Sequence, residues 1–181
     1  MHFSSLPLLE HDLVVLRPFT AADIEPWFAY LTRPEVYEPT SWNVQSPSEL
    51  SHYAWKPEEF TPSSMLRFAV ALRSNNKLAG TAGFHTVSPP NESAELAYDL
   101  APQFWGKGIA SAVCASLAEW AHSSAGITRL QATVLESNAR SIAVLHRGGF
   151  QCEGLLRSYR KVRGRYGNFY MYAHVASRSD A

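Results

Sequence analysis

Two hydrophobic periodicities alternate along this chain, and their order sets the expected architecture. Apolar positions in Asp12-Leu13-Val14-Val15-Leu16 read as a strand that ends at Pro18. Thr20, with Asp23 three residues on, reads as a helix N-cap with a variant capping box. Ile24, Trp27, Phe28 and Leu31 then recur at helical spacing. Ser46-Pro47-Ser48-Glu49 starts a second helix, with a serine cap, proline in the first turn and glutamate at the third position. That helix is expected to reach about Trp55, with Pro57 and Pro62 marking the loop beyond it.

A β-rich middle follows. Residues 65–72 and 78–87 flank Ser74-Asn75-Asn76-Lys77, a hairpin signal. Ser88-Pro89-Pro90-Asn91-Glu92 turns the chain into a strand over 95–100. Beyond Gly106-Lys107-Gly108, a helix starting near Lys107 repeats Ile109, Val113, Leu117 and Ala121 at four-residue steps, with Ala110, Cys114 and Ala118 beside them. Residues 130–135 form the next strand, and 138–146 a short helix stopped by Gly148-Gly149. Two last strands, 151–162 and 166–175, flank Arg163-Gly164-Arg165. The order β-α-α-β-β-β-α-β-α-β-β implies an α/β (α+β) fold: a mixed sheet with helices on its faces. It lacks the regular βαβ alternation of a doubly wound nucleotide-binding fold.

Composition narrows the chemistry. The chain of 181 residues is expected to be one domain with a real core. Sixteen basic and sixteen acidic residues balance, which gives no electrostatic case for nucleic acid or an anionic membrane. Cys114 and Cys152 make no disulfide framework and no Cys-x-x-Cys pair, and read as small hydrophobes in a reducing cytoplasm. The seven histidines show no metal-ligand spacing. No apolar run reaches a membrane-spanning length of ~18 residues, and the N-terminus lacks the pattern of a secretory signal.

The chemistry-bearing segment is Gln103-Phe104-Trp105-Gly106-Lys107-Gly108-Ile109-Ala110. Its glycines allow a tight turn between a strand and a helix whose first N–H groups lack intrahelical partners. Such a turn is an anion site. A P-loop would need Ser or Thr directly after Gly106-Lys107, and Gly108 stands there. A dinucleotide fingerprint would need a third glycine and an early place in a βαβ unit. The pyrophosphate of coenzyme A remains, beside the plain alternative of a strand-to-helix turn that holds nothing.

Gln103-x-x-Gly106-x-Gly108 resembles the acetyl-CoA signature of the GNAT superfamily of N-acetyltransferases. The stretch from Glu95-Leu96-Ala97-Tyr98 through Pro102, Trp105 and Ala110 is similar to its RimJ/RimL-like branch, which acetylates ribosomal-protein N-termini. So is the block Asn138-x-x-Ser141-x-x-Val144-Leu145-x-x-x-Gly149-Phe150-x-x-Glu153-Gly154. Leu16-Arg17-Pro18-Phe19 near the start and Tyr170-Met171-Tyr172-Ala173 near the end agree, so the resemblance covers nearly the whole chain.

That resemblance implies a twisted, mostly antiparallel sheet of about seven strands, helices on both faces, and a cofactor gap where strands four and five splay. It implies acetyl-CoA as co-substrate, with no metal. Main-chain N–H groups of Trp105, Gly106, Lys107, Gly108, Ile109 and Ala110 would hold the pyrophosphate, with Gln103 in the same signature. Leu100 would pair its backbone with the pantetheine and polarise the thioester carbonyl, where negative charge develops. Asn138 would bond the pantetheine arm or serve as a helix N-cap. Glu95 is the leading base candidate, with Asp99 on the same strand face and His85 on the strand before; salt-bridged strand carboxylates are the plain alternative. The superfamily's frequent tyrosine acid, seven residues after Asn138, is replaced by Leu145, a departure normal for the RimJ/RimL-like branch, where a serine one turn earlier can bond the thiol; Ser141 fills that place. Some members carry a base on the sixth strand, where this chain has Tyr159 and Arg160, with Glu153 several residues earlier.

The acceptor would be a protein N-terminus or an amine-bearing small molecule, met by a monomer or homodimer. An α-amine, with a reference pKa near 8 against ~10.4 for lysine, needs only a weak base. The alternative function is a catalytically silent acyl-CoA-binding module. Residues 27–60 hold Trp27, Phe28, Tyr30, Tyr37, Trp42, Tyr53, Trp55 and Phe60. Most of these suit helix-on-sheet packing. Tyr37 and Trp42, between the helices, are the expected acceptor contacts.

Overall fold

The computed structural model describes residues 6–54 and 65–177; Trp55, Pro57, Phe60 and Pro62 lie outside them. Seven strands and four α-helices follow in chain order: β1 (Val14–Pro18), α1 (Ile24–Leu31), α2 (Pro34–Tyr37), β2 (Leu66–Leu72), β3 (Leu78–Ser88), β4 (Ser93–Leu100), α3 (Ile109–Ser123), β5 (Arg129–Leu135), α4 (Ala139–Arg147), β6 (Gln151–Val162) and β7 (Arg165–Val175). The sheet order is β1-β2-β3-β4-β5-β7-β6. All neighbours are antiparallel except β4 and β5.

That parallel pair positions the site. Its register covers only Ser93–Glu95 against Arg129–Gln131. Each strand continues, β4 to Leu100 on its β3 partner and β5 to Leu135 on its β7 partner. Their outer edges are therefore held while their facing edges separate. The Ala101 N–H donates to the Ala79 carbonyl at 2.9 Å, which sets the hydrogen-bond phase of the β3–β4 ladder. Antiparallel alternation then turns the backbone groups of Tyr98 and Leu100 away from β3, into the gap.

Alternation along β2 divides the core into two layers. Leu66, Phe68 and Val70 join Phe84, Leu96, Leu117, Trp120, Leu130 and Phe150 beneath α3 and α4. Ala69 faces the other way, with Phe19, Trp27, Tyr30, Leu31 and Leu50 beneath α1. Helices thus cover both faces. Along Leu16-Arg17-Pro18-Phe19 the chain crosses between the layers: Leu16 packs in the first and Phe19 in the second. Arg17 grips Asp23 through two bonds of 2.7 Å, the expected Thr20–Asp23 capping box forms, and the Phe19 ring meets Trp27 edge-on at 5.0 Å.

Two elements differ from expectation. The Ser46–Glu49 capping box forms, but the segment Pro47–Tyr53 is a 3-10 helix rather than an α-helix. Three-residue turns put Leu50 and Tyr53 on one side, where both pack into the α1 layer. The helix expected near Lys107 starts at Ile109, because Gly106 and Gly108 hold φ of +74° and +77° and cannot continue it backwards.

Candidate active site

The turn and the open end of the splay form a cavity of about 510 Å³. Trp105, Gly106, Lys107, Gly108, Ile109 and Ala110 line it, with Leu100, Asn138 and Ser141. Helix α3 makes its first bond from Ala112 N–H to the Gly108 carbonyl, so the amides before it have no intrahelical acceptor. Its first turn carries no acidic residue. An added Cβ at Gly106 or Gly108 would meet no atom within 4 Å; the backbone angle, not crowding, demands glycine there. The Lys107 carbonyl accepts from His11 Nε2 at 3.1 Å, while His11 Nδ1 accepts from the Leu13 amide at 3.2 Å, which fixes the tautomer. In the trans peptide Lys107–Gly108 the amide then points away from His11.

The same cavity gathers cations: Lys107 of the turn itself, and two arginines that local patterning did not mark. Lys107, Arg140 and Arg147 line it. The Arg140 guanidinium lies 3.9 Å from the Trp105 ring centroid and donates to the Glu35 carbonyl at 3.1 Å, tying α4 to the turn and to α2. Free amides and three cations around one apolar hollow suit a polyphosphate ester with an uncharged arm. One expected contact is corrected and another is narrowed. Gln103 is exposed in a short 3-10 turn and does not line the cavity. The Leu100 carbonyl already accepts from Trp105 Nε1 at 2.8 Å, which leaves its N–H as the group directed at the gap.

A second cavity of about 560 Å³ lies on the α1 side of the sheet. Glu95 is buried in its wall. One carboxylate oxygen accepts from Thr133 at 2.5 Å and from Arg160 at 3.2 Å, with His85 Nε2 at 3.7 Å. Burial chiefly holds His85 below the ordinary histidine range; Glu95 pulls the other way, and Arg67 and Arg160 add to the lowering. Arg160 comes from the sixth strand, where the resemblance had offered a base; here that strand supplies the cation that neutralises Glu95. Glu153 pairs with Arg129 at 2.9 and 2.6 Å and lines neither cavity.

Asp99 is not placed to act as a base. It accepts from Trp27 Nε1 at 3.0 Å, Arg67 at 2.9 Å, Thr81 at 2.9 Å and the Tyr30 hydroxyl. Both its oxygens are thus occupied by scaffold donors, and burial with the Asp99 charge pushes the Tyr30 phenol well above its usual range. The aromatic region is also repurposed. Trp27, Trp42 and Tyr53 enclose the Arg67 guanidinium at 4.9, 5.7 and 5.5 Å from their centroids. Trp42 still lines the second cavity, as part of this filled cage. Tyr37 lines neither cavity; its ring stands 5.5 Å from Arg163.

Arg163 itself escaped the sequence reading. It sits with Gly164 in the β6–β7 turn, both at positive φ, as a mirror-image hairpin turn requires. Its guanidinium donates to the carbonyls of Tyr37, Thr40 and Trp42 at 3.1–3.3 Å and of Glu38 at 2.7 Å. This clasp holds the loop that roofs both cavities.

The cavities meet at Pro39, Thr40, Tyr98, Asn138 and Ser141, which line both. Asn138 caps α4 through its side-chain oxygen, bonded to the Ser141 amide at 3.1 Å. The Tyr98 hydroxyl stands 2.7 Å from Ser141 Oγ across the splay. Leu145 is fully buried in the core beneath α4. Cys114 is buried, with its thiol pushed up by burial; Cys152 is exposed on β6, not buried as expected for both cysteines, and lines neither cavity. Among the described residues no group of three or more His, Cys, Asp or Glu could hold a metal ion, and no helix is long and apolar enough to cross a membrane.

A short parallel pair opens into a wedge, with a glycine turn and a helix N-terminus at its mouth, and joins that mouth to a second cavity. Residues 14–151 match the acetyltransferase (GNAT) domain family, and the chain belongs to this family of N-acetyltransferases. The chain is 37% identical over 107 residues to p20, an uncharacterised N-acetyltransferase of Bacillus licheniformis, a match covering 59% of this chain and 60% of p20. It is 32% identical over 158 residues to YoaA, an uncharacterised N-acetyltransferase of Bacillus subtilis, covering 84% of this chain and 88% of YoaA. The structure of Mycobacterium smegmatis RimJ in complex with CoA-disulfide superposes with a TM-score of 0.76 at 26% identity, over 93% of this chain and 84% of that one.

Proposed function

We propose that this enzyme transfers acetyl to a primary amine, a peptide N-terminus or a small amine, by direct attack in a ternary complex. The observation that carries this is the junction: two cavities share Tyr98, Asn138 and Ser141 at the splay. Acetyl-CoA supplies an activated thioester carbonyl when bound. The amides from Gly106 to Ala110, with Lys107, Arg140 and Arg147, hold its phosphates; the expected Trp105 amide is not among them, because it already donates to the Pro102 carbonyl at 3.1 Å. The N–H groups of Tyr98 and Leu100 and the Asn138 side chain orient the pantetheine arm. The roof loop held by Arg163 excludes water from the junction.

The acceptor enters from the Glu95 side. Glu95 takes the amine proton, directly or through water. A carboxylate is a weak base. A weak base suffices for an α-amine, which loses its proton about two pH units more easily than a lysine. Neither cysteine is placed to carry the acetyl group, which supports direct transfer over an acyl-enzyme.

Initial-rate kinetics with acetyl-CoA and a panel of a seryl peptide, a lysyl peptide, spermidine and an aminoglycoside test this. Thiol release with one of these amines and intersecting double-reciprocal plots are expected. Parallel plots, or an acetylated enzyme trapped without acceptor, would refute direct transfer.

A further inference from the structure

Tyr98 and Ser141 reach each other from opposite sides of the splay, one from β4 and one from α4. The phenol oxygen is 2.7 Å from Ser141 Oγ and 3.1 Å from the Ser141 carbonyl. A phenol has one hydrogen to give, and the shorter contact is to the hydroxyl. Burial is the main cause that lifts Tyr98 well above the usual tyrosine range; Cys114, which the phenol also bonds, adds to the rise, and the Ser141 contact partly opposes it. Tyr98 therefore stays protonated and acts as a standing donor. If it donates to Ser141 Oγ, the serine's own hydrogen must find a different acceptor. The Ser141 backbone amide is already spent on Asn138, which pins the first turn of α4. The open space beside Ser141 is the junction of the two cavities.

We infer that Tyr98 is a positioning residue: by donating to Ser141 it aims the serine hydroxyl at the sulfur that departs from the thioester. This rests on the transferase reading above. A nitrogen–carbon bond forms, the carbon–sulfur bond breaks, and its electron pair goes to sulfur. Ser141 stabilises that charge with a hydrogen bond. The proton lost by the amine, carried by Glu95 or water, balances it. Tyr98 keeps its proton throughout. Leu145 leaves α4 without a phenol at its usual place, and β4 supplies one from the facing side.

The test needs no acceptor. The thiol of bound coenzyme A is titrated through its ultraviolet thiolate band in the wild type, Tyr98→Phe, Ser141→Ala and the double variant. His85 on β3, Glu95 on β4 and Arg160 on β6 are common to all four proteins and cancel in the comparison; Cys114 on α3, which Tyr98 also bonds, is replaced by alanine in all four so that only the coenzyme thiol is read. Tyr98→Phe is expected to raise the bound thiol pKa by about one unit, a tenfold loss of thiolate stability, as for loss of an oriented bond to a charged group. Ser141→Ala is expected to raise it at least as far, and the double variant no further than Ser141→Ala alone. Tyr98→3-fluorotyrosine, a stronger donor of nearly the same shape, is expected to lower it below wild type. An unchanged thiol pKa in Tyr98→Phe that still binds coenzyme A overturns the inference and leaves the transferase reading standing. So does a Tyr98→Phe shift that persists in the Ser141→Ala background. Failure of the wild type to bind coenzyme A sinks both.

Discussion

The two cavities that meet at the splay are built from different material. The donor side is mainly backbone: a glycine turn, the unpaired amides of α3 and the outward-facing N–H groups of β4. The acceptor side is mainly side chain: Glu95 bonded by Thr133 and Arg160, and Arg67 sealed among three aromatic rings. Backbone sites suit one constant ligand, because any sequence that makes the turn makes the site. Side-chain sites depend on distant partners and can be changed one residue at a time. The contrast is sharpest within β4. Glu95 and Asp99 share a strand face, yet Glu95 lines the acceptor cavity while Asp99 is spent on holding α1 and β2 together.

That pair of carboxylates gives the largest expected effects. Asp99→Ala removes the carboxylate that binds buried Arg67, Trp27, Tyr30 and Thr81 together and is expected to cost about 3–5 kcal/mol of stability, measured by urea unfolding. Glu95→Gln should leave the unfolding midpoint nearly unchanged while lowering kcat about a hundredfold or more with its best amine. The reverse pattern, a stable Asp99→Asn with collapsed kcat and an active Glu95→Gln, would exchange the two roles.

The donor side is broken by geometry. Gly108→Val puts a β-branched residue at φ +77° and should weaken coenzyme A binding about 10–100-fold by calorimetry. Undiminished affinity would remove the turn from the phosphate site. On the acceptor side, Arg163→Ala releases four loop carbonyls and is expected to raise the acceptor KM about fivefold, with the acetyl-CoA KM little changed. Arg163→Lys should recover part of the loss. A rise confined to acetyl-CoA would show that the clasp serves the other cavity.

The smallest effect is a pH dependence of stability. Burial chiefly lowers both His85 and His174, the latter also by His122. Each binds its proton more readily unfolded than folded. Their contribution is therefore present above the ordinary histidine pKa of ~6.5 and is lost as pH falls below it. Urea midpoints should drop between pH 7.5 and 5.5, and His85→Gln should flatten the drop. A midpoint that rises on acidification would contradict the burial of these imidazoles.

Local signals in the chain determined the strands, the capping boxes at Thr20 and Ser46, the glycine turn and the cap at Asn138. Each depends on residues within one or two turns of one another. They accordingly made legible the order of elements and the backbone half of the site. Tertiary structure alone decided that Asp99 is scaffold, that Tyr37 belongs to the Arg163 clasp, and that Trp42 closes on Arg67. The same holds for Tyr98 meeting Ser141, 43 residues away, and for Arg160 meeting Glu95, 65 residues away. Periodicity tells which face of a strand a side chain takes; only the packed sheet fixes which distant partner waits there.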